Sequence, residues 1–190
     1  MADLIGRIPR RTGHFRFESG FHGDLWLELD ALFADPAKTE RDATALADGL
    51  ADIKIDVVCG AMTGGALLAQ VVARHLDCLF AYTERAYAGD RARYWLAKGQ
   101  TEIVRDRRVG LIDDVIQAGS ATTGTREAVV AAGGVPVAIG ALLVLGAAID
   151  DLARVWDLPV VALERLPVNL WAAATCPLCA SGMPLEELVH

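Results

Sequence analysis

Two adjacent carboxylates, Asp113 and Asp114, are the residues of this chain whose type and position point most directly to chemistry. They follow the apolar segment 109–112, which is typical of a short buried strand. Neighbouring carboxylates repel each other and are costly to desolvate, so we expect them at the carboxyl edge of that strand. There they would face a cation or a polyol.

The segment after the carboxylates has the composition of an anion-binding turn. Residues 117–121 are mostly small, and a helix is predicted from Ser120 to about Ala132. Backbone N–H groups at a helix N-terminus lack intrahelical partners, and the helix dipole favours negative charge there. One stretch therefore offers carboxylates for sugar hydroxyls and a turn for a phosphate. An ordinary strand–turn–helix unit with an acidic turn is the alternative.

A second unit of the same kind lies earlier in the chain. The apolar segment 55–59 predicts a strand, the loop 60–65 contains three glycines, and a helix is predicted to about His75. Glycines permit backbone conformations that bulkier residues resist, so this loop could bind a second anion. A glycine-rich loop alone is a weak signal.

The stretch 109–121 resembles the phosphoribosyl pyrophosphate (PRPP) motif of type I phosphoribosyltransferases: an apolar strand, two acidic residues, two apolar residues and a small-residue turn. The resemblance implies that Asp113 and Asp114 are catalytic and hold the ribose 2′- and 3′-hydroxyls. The residues implied to bind the 5′-phosphate are those of the turn, Gln117, Ala118, Gly119, Ser120 and Ala121. The family's turn often begins with Thr where this chain has Gln117, whose amide can still donate a hydrogen bond.

The same resemblance gives the earlier loop a role, because it precedes the PRPP motif in the family's order. It implies a pyrophosphate-binding loop made of Ala61, Met62, Thr63 and Gly64. Orotate phosphoribosyltransferases often carry a basic residue in this loop, whereas this chain has Thr63.

The N-terminal segment resembles the hood that covers the base in orotate phosphoribosyltransferases. Strands are predicted over residues 13–20 and 24–30, joined by a turn at 21–23. The residues that match the family are Gly13, Phe15, Ser19, Gly20 and His22. The resemblance implies base-binding roles for His22 and Phe15, although a histidine in a turn is often only solvated.

An arginine-rich segment, residues 83–94, resembles in position the mobile catalytic loop that closes over PRPP in orotate enzymes. It contains Arg85, Arg91 and Arg93 but none of the family's usual lysines. Arginine can balance the charge of pyrophosphate but cannot give up a proton as lysine can. Arg85 is therefore a candidate catalytic residue, and a solvated arginine-rich hairpin is the alternative.

One departure from the family bears on the base. Orotate enzymes typically place an arginine just beyond the strand that matches residues 135–145, where it holds the orotate carboxylate. In this chain Gly146 to Ile149 are uncharged. We therefore expect orotate turnover to be weak or absent and another base to be preferred, unless His22, Arg16 or backbone N–H groups of the hood hold the carboxylate instead.

Composition limits the classes of protein. The 190 residues suit one domain, 53% of them are hydrophobic, and the formal net charge is −7, which argues against a nucleic-acid or anionic-membrane surface. No apolar run reaches the ~18 residues of a membrane span, and the N-terminus does not resemble a signal peptide. We expect a cytoplasmic protein with reduced cysteines.

The four cysteines include one close pair, Cys176 and Cys179, in a C-terminal segment that resembles the ending of some orotate enzymes. A Cys-x-x-Cys pair supplies two of the four ligands that a structural zinc site needs. No other cysteine or histidine lies within normal ligand spacing in the sequence, so packing or a contact with a partner is the expected role and no metal-ligating residue is predicted.

The resemblance covers most of residues 13–180. It implies an α/β protein with the three-layer phosphoribosyltransferase fold: a mostly parallel sheet, helices on both faces and a small N-terminal hood (residues 1–34) within a single domain, 1–190. The implied reaction transfers ribose 5-phosphate from PRPP to a nucleobase with release of pyrophosphate, with Mg²⁺ as cofactor and a homodimer as the assembly. Two alternatives stay open: another base, either a purine or a modified pyrimidine, and a PRPP-binding regulator without turnover.

Overall fold

The structure is a computed structural model that describes residues 4–17, 19–88 and 91–187. It has two sheets, whose strands are β1 (Arg10–Arg16), β2 (Phe21–Leu27), β3 (Val57–Ala61), β4 (Leu79–Ala88), β5 (Arg91–Trp95), β6 (Arg108–Ile116), β7 (Val135–Leu145), β8 (Val160–Leu166), β9 (Leu170–Ala172) and β10 (Glu186–Glu187). The α-helices are α1 (Leu4–Arg7), α2 (Pro36–Leu50), α3 (Gly64–Leu76), α4 (Lys98–Val104), α5 (Ser120–Ala131), α6 (Ala148–Trp156) and α7 (Pro177–Ala180). None of the helices within these residues is long and apolar enough to cross a membrane.

The larger sheet has six strands in the order β5-β4-β3-β6-β7-β8. All its neighbouring pairs are parallel except β4 and β5, which form an antiparallel hairpin. Parallel strands are buried on both faces, and β3 shows the consequence: Val58 belongs to one apolar core, whereas Val57 and Cys59 belong to another. Helices α2 and α3 contribute to the first core, and α4, α5 and α6 to the second. The predicted three-layer fold is confirmed.

Helix α2 begins where the sequence predicts. The carboxylate of Asp35 accepts hydrogen bonds from the backbone N–H groups of Ala37 (3.1 Å) and Lys38 (3.3 Å), and Pro36 occupies the first helical position. The helix then buries Ala43, Leu46, Ala47 and Leu50 on one face against the larger sheet.

Strand β6 is longer than the apolar segment 109–112 indicates, because it continues through both carboxylates to Ile116. The pairing explains the difference. On one side β3 stops pairing at Gly60–Ile112, whereas on the other side β7 continues to pair as far as Ile116–Val144. Asp113 and Asp114 therefore lie in a strand that has lost one neighbour, at the carboxyl edge of β3.

The second sheet, which we call the hood sheet, has the order β10-β1-β2-β9. Its strands come from both ends of the chain, so residues 170–187 complete the hood that the sequence placed in residues 1–34. The predicted turn at 21–23 is wrong, because Phe21 begins β2 and the chain turns before it, where the Gly20 N–H donates to the carbonyl of Phe17. The β1–β2 pairing also shifts register between Thr12 and Phe15, and the consecutive residues His14 and Phe15 are both buried. Apolar–polar alternation could not locate such an irregularity.

Candidate active site

A cleft of about 570 Å³ opens between the carboxyl ends of β3 and β6 and the hood sheet. The parts of the chain that line it include the predicted PRPP motif, the predicted pyrophosphate loop and the β4–β5 hairpin. The cleft contains, among others, Asp113, Asp114, all of residues 117–121, Ala61, Met62, Thr63, Gly64 and Arg85. The sequence-predicted PRPP, pyrophosphate and catalytic residues are thus brought together in one cavity. This is the position in which open parallel sheets bind ligands.

The two carboxylates lie at the floor of this cleft. Asp113 is only 7% exposed, and its Oδ2 accepts a hydrogen bond from the hydroxyl of Thr122, on α5, at 3.2 Å. Asp114 is half-buried and also lines the cleft. The Asp113 carboxylate also accepts from the backbone N–H of Asp114, but none of these donors is cationic. A buried carboxylate with neutral donors alone is under-compensated, so the pair favours a ligand that brings further hydroxyl groups or positive charge.

The pKa values of Asp113 and Asp114 are both raised. Burial, followed by the charge of the neighbouring Asp114, raises the pKa of Asp113 well above its usual range. Burial also raises the pKa of Asp114. Desolvation penalises the ionised form in both cases, so an ordered ligand that donates to these oxygens would return each pKa toward its ordinary value.

The glycines of the loop after β3 bring helix α3 against these carboxylates. A Cβ at Gly64 would collide with the carboxylate of Asp114, and a Cβ at Gly65 would lie 3.0 Å from Oδ1 of Asp113. A Cβ at Gly60 would in turn collide with the backbone of Gly65. Only glycine at these three positions permits this close approach. The N-cap residue of α3, Thr63, makes no side-chain capping bond, so N–H groups at this helix start are left for a ligand.

The second helix that starts at the cleft is α5. Its N-cap, Gly119, has φ +75°, a conformation that favours glycine, and provides no side-chain cap. The carbonyl of Gly119 accepts from the Thr123 hydroxyl at 2.7 Å and from the Thr123 backbone N–H at 2.8 Å, which fixes the first turn. Two uncapped helix N-termini therefore open into the same cavity, one on either side of the carboxylates.

The predicted catalytic loop, 83–94, forms most of the β4–β5 hairpin, except for Gly89 and Asp90, which lie outside the described residues. Arg85 lines the cleft and its guanidinium lies 5.2 Å from the ring centre of Tyr87. On the returning strand Tyr94 lines the cleft and packs against α5, because a Cβ at Gly124 would collide with its ring. The hairpin thus brings one cationic and one aromatic side chain to the α5 side of the cavity.

The hood sheet contributes aromatic residues that the sequence did not single out. Phe17 and Trp26 line the cleft, with ring centres 6.1 Å apart and planes inclined by 8°. The two residues predicted to bind the base do not line it: Phe15 is fully buried, and His22, which is 5% exposed, contacts His14 and Cys179. Both roles were implied by the resemblance to the hood of orotate enzymes. In this structure the C-terminal segment packs against that part of the hood, where β10 pairs with β1 at Phe15 and Cys179 contacts His22. Phe17 stood in the same aromatic segment and was the available signal.

A second group of chemically active side chains lies in the hood sheet. His14, His22, Cys176 and Cys179 place one ligand atom each within 4.8 Å of one another. The expectation that the cysteine pair has no further ligand nearby is corrected by the fold, since the two histidines come from residues more than 150 positions earlier in the chain.

Comparisons with known proteins identify the family of this chain. The family model described as "Phosphoribosyl transferase domain" matches residues 30–134, more than half of the chain. An orotate phosphoribosyltransferase of Thermus thermophilus is 32% identical over 186 residues, which cover 95% of this chain and 97% of the relative. One from Caldanaerobacter subterraneus is 30% identical over 177 residues, covering 92% of this chain and 87% of the relative.

Solved structures with the same fold include enzymes for different bases. An orotate phosphoribosyltransferase from Aeropyrum pernix matches with a TM-score of 0.61 and 22% identity, over 85% of this chain and 89% of that structure. An adenine phosphoribosyltransferase from Thermoanaerobacter pseudethanolicus matches with a TM-score of 0.69 and 16% identity, over 86% and 98%. At these identities the structures establish the fold alone. The family model, the full-length relatives and the fold together show that the chain belongs to the type I phosphoribosyltransferases and is orotate phosphoribosyltransferase-like in sequence.

Proposed function

We propose that the cleft binds PRPP across the Asp113–Asp114 pair and transfers its ribose 5-phosphate to orotate. The observation that carries this proposal is the set of groups that line one cavity: an uncapped helix N-terminus, the carboxylates of Asp113 and Asp114, and a second uncapped helix N-terminus. PRPP has the matching groups, with pyrophosphate at C1, hydroxyls at C2 and C3, and a phosphate at C5.

Each group has a role that follows from its chemistry. The hydroxyls of the ribose donate to Asp113 and Asp114, whose burial makes them strong acceptors once a donor is present. The 5′-phosphate accepts from the N–H groups of the 117–121 turn at the start of α5, and the pyrophosphate accepts from those at the start of α3. Arg85 lies in the same cavity and can balance charge on the leaving group.

The reaction breaks the bond between C1 and the pyrophosphate oxygen, and the electron pair leaves with pyrophosphate. A ring nitrogen of the base forms the new bond to C1 and loses its proton. Positive charge develops on the ribose and negative charge on the leaving group, so catalysis consists of positioning and electrostatic stabilisation. The fixed N–H groups of the two helices would stabilise the developing charge without reorganising.

The residues present fit the Mg²⁺ that the resemblance implies. The cleft offers two adjacent, partly desolvated carboxylates, and Mg²⁺ in phosphate-handling sites is usually held by one or two carboxylates together with substrate oxygens and water. Asp113 and Asp114 would hold it from the ribose side. When bound it would neutralise charge on the pyrophosphate.

The acceptor base is inferred from the relatives and not from a carboxylate-binding group in the cleft. The relatives named as orotate phosphoribosyltransferases match along more than nine-tenths of this chain, hood included. The expected arginine after β7 has no counterpart, and Arg16, an alternative anchor, forms an ion pair with Glu187 at 2.9 Å. Arg85 is the one basic residue among the described residues that line the cleft.

A neutral base is a second candidate, favoured by the hood side of the cleft. Phe17 and Trp26 offer aromatic faces there, and Glu28 and Asp30 line the same cavity, so the local charge disfavours an anionic base.

Pyrophosphate release from PRPP with Mg²⁺ should be measured with orotate, uracil, adenine, hypoxanthine and guanine in parallel. Turnover highest with orotate supports the first proposal, and turnover highest with a purine supports the second. Absence of turnover with every base would support the PRPP-binding regulator that the sequence left open.

The proposal also includes a homodimer in the cytoplasm, in keeping with the resemblance. Sedimentation velocity of the purified protein tests the assembly directly: a dimer mass is expected, and a monomer mass across the working concentration range would contradict it.

A further inference from the structure

We propose that His14, His22, Cys176 and Cys179 form a structural zinc site that joins the hood sheet to the C-terminal segment. Two imidazoles and two thiols are a ligand set that Zn²⁺ prefers in structural sites. The site is separate from the phosphoribosyl chemistry, because none of the four residues lines the active-site cleft.

The distances between ligand atoms fit one tetrahedral ion. His14 Nε2 lies 3.1 Å from His22 Nδ1, 3.4 Å from Cys176 Sγ and 3.6 Å from Cys179 Sγ, and Cys179 Sγ lies 3.3 Å from His22 Nδ1. Bonds of about 2.0–2.1 Å to nitrogen and about 2.3 Å to sulfur require ligand separations of roughly 3.3–3.8 Å in a tetrahedron. The four distances given above therefore lie within about 0.3 Å of tetrahedral values. All six separations are within 4.8 Å, so an ion at the centre would need shifts of about 1 Å or less.

The tautomer of His14 favours a bound cation over a network of hydrogen bonds alone. Its Nδ1 lies 2.9 Å from the carbonyl oxygen of Met183, which can only accept, so Nδ1 carries the proton. In the neutral ring Nε2 then has a single lone pair, yet three polar atoms surround it. One metal ion would bind the ligand atoms of all four residues at once. Without a metal, Nε2 of His14 can accept a hydrogen bond from only one of its three polar neighbours at a time. A hydrogen bond from the distal ring nitrogen to a backbone carbonyl is also the usual way in which zinc-ligating histidines are oriented.

The fold positions these ligands from three separate segments. His14 lies in β1 at the shift of register and His22 lies in β2. Cys176 is the N-cap of α7, and Cys179 lies within that helix. His14, His22 and Cys176 are buried and Cys179 is exposed, so the site is closed on one side and open to metal exchange on the other. All four cysteines of the chain are free thiols, so no disulfide competes for the pair.

A zinc ion here would hold the C-terminal segment against strands β1 and β2. The same part of the chain contributes Phe17 and Trp26 to the active-site cleft, so the ion would fix the geometry of the wall that faces the base. We expect loss of zinc to lower the thermal unfolding midpoint and to loosen the hood before the six-stranded sheet.

The test is the metal content of the full-length protein, purified with a reducing agent and without a chelator or an affinity tag that binds metal. We expect about one zinc per chain, as a four-ligand structural site requires. Cys176→Ser, Cys179→Ser and His22→Asn should each reduce the content at least tenfold, whereas Cys78→Ser and His75→Gln, which change the same residue types outside the cluster, should retain it. Equal zinc content in the cluster variants and the controls would overturn the proposal.

A measurement on the wild-type protein keeps the proposal falsifiable where a variant fails to fold. The metal is removed with a chelator under reducing conditions, and Co²⁺ is then titrated in. Intense visible absorption bands typical of tetrahedral cobalt, with thiolate-to-cobalt charge transfer in the near ultraviolet, are expected to saturate at one equivalent and to disappear on addition of Zn²⁺. Absence of these bands together with absence of zinc in the purified protein would contradict the site, and a Cys176–Cys179 disulfide found under reducing conditions would also exclude it.

Discussion

Gly64 lies so close to the carboxylate of Asp114 that no side chain fits between them. This contact joins the start of α3 to the carboxylates of β6, and therefore fixes the spacing between the two groups that would bind the pyrophosphate and the ribose of PRPP. The glycine has a geometric function here, because its φ is not in the left-handed region.

Gly64→Ala is expected to lower kcat/KM for PRPP by about a hundredfold, since a displacement of about 1 Å in a positioned site can have that effect. The added methyl group must push Asp114 or α3 out of place. Steady-state kinetics with PRPP as the varied substrate measure the effect. Gly99→Ala is the matched control, because a Cβ there meets nothing within 4 Å in helix α4. It should leave kcat/KM unchanged, and an equal loss in both variants would refute the explanation.

Asp113→Asn is expected to raise the free energy of unfolding at neutral pH. Burial raises the pKa of Asp113, so the folded protein binds its proton more tightly than the unfolded chain does. The stability that this proton contributes is fully present below the unfolded pKa and is lost as pH rises through the folded pKa. The asparagine variant does not titrate, and its amide oxygen can still accept from Thr122.

The measurement for this prediction is chemical denaturation of the ligand-free protein between pH 4 and pH 8. The stability of the variant relative to the wild type should increase as pH rises. A relative stability that falls with rising pH would mean that Asp113 is stabilised as a carboxylate in the free protein, contrary to its burial.

Asp35→Ala tests the N-cap of α2, which is structural and lies apart from the cleft. Loss of the bonds to the N–H groups of Ala37 and Lys38 should cost about 1 kcal/mol, equivalent to a lower thermal midpoint by roughly 2–4 °C for a chain of this size. Differential scanning calorimetry measures the shift. Turnover at 25 °C should stay at the wild-type level, and a large loss of activity would mean that α2 positions the site in a way its contacts do not indicate.

Trp26→Ala is expected to raise KM for the base by about tenfold or more, because aromatic stacking contributes on the order of 1–3 kcal/mol per base. KM for PRPP should change much less, since the ribose and phosphate groups bind at the other elements of the cleft. Trp156→Ala is the matched control: Trp156 stacks with Arg126 on α5 and does not line the cleft. Equal effects on KM for the base in both variants would remove Trp26 from the base site.

Much of the central sheet could be predicted from the sequence, because the signals that define its elements lie in short continuous stretches of the chain. Asp35-Pro36 marks the start of α2, the glycine pair at 133–134 precedes β7, and the PRPP motif combines a strand, two carboxylates and a helix start in one continuous stretch. Those residues converge in the cleft because parallel strands end at the same edge. The extra length of β6 was not predictable in this way, since it depends on the length of β7.

The hood sheet could not be predicted to the same extent, because its pairings are long-range. Strand β2 pairs with β9 and β1 pairs with β10, which come from the far end of the chain. The shift of register in β1 also leaves the consecutive residues His14 and Phe15 both buried, which alternation does not predict. His22 contacts Cys179, from the far end of the chain, and does not line the cleft. The four ligands of the proposed zinc site are visible only once these strands are assembled.

The most direct test of the account compares PRPP-dependent pyrophosphate release by the wild type, by the double variant Asp113→Asn, Asp114→Asn, and by a matched control. The control is Asp150→Asn, Asp151→Asn, a second adjacent aspartate pair, which lies in the first turn of α6 and outside the cleft. With the preferred base and Mg²⁺, the account predicts a loss of at least a thousandfold in kcat/KM for the first pair, about 4 kcal/mol of transition-state stabilisation, and wild-type rates for the second. Wild-type-like turnover in the Asp113/Asp114 variant would contradict the assignment of the cleft as the PRPP site.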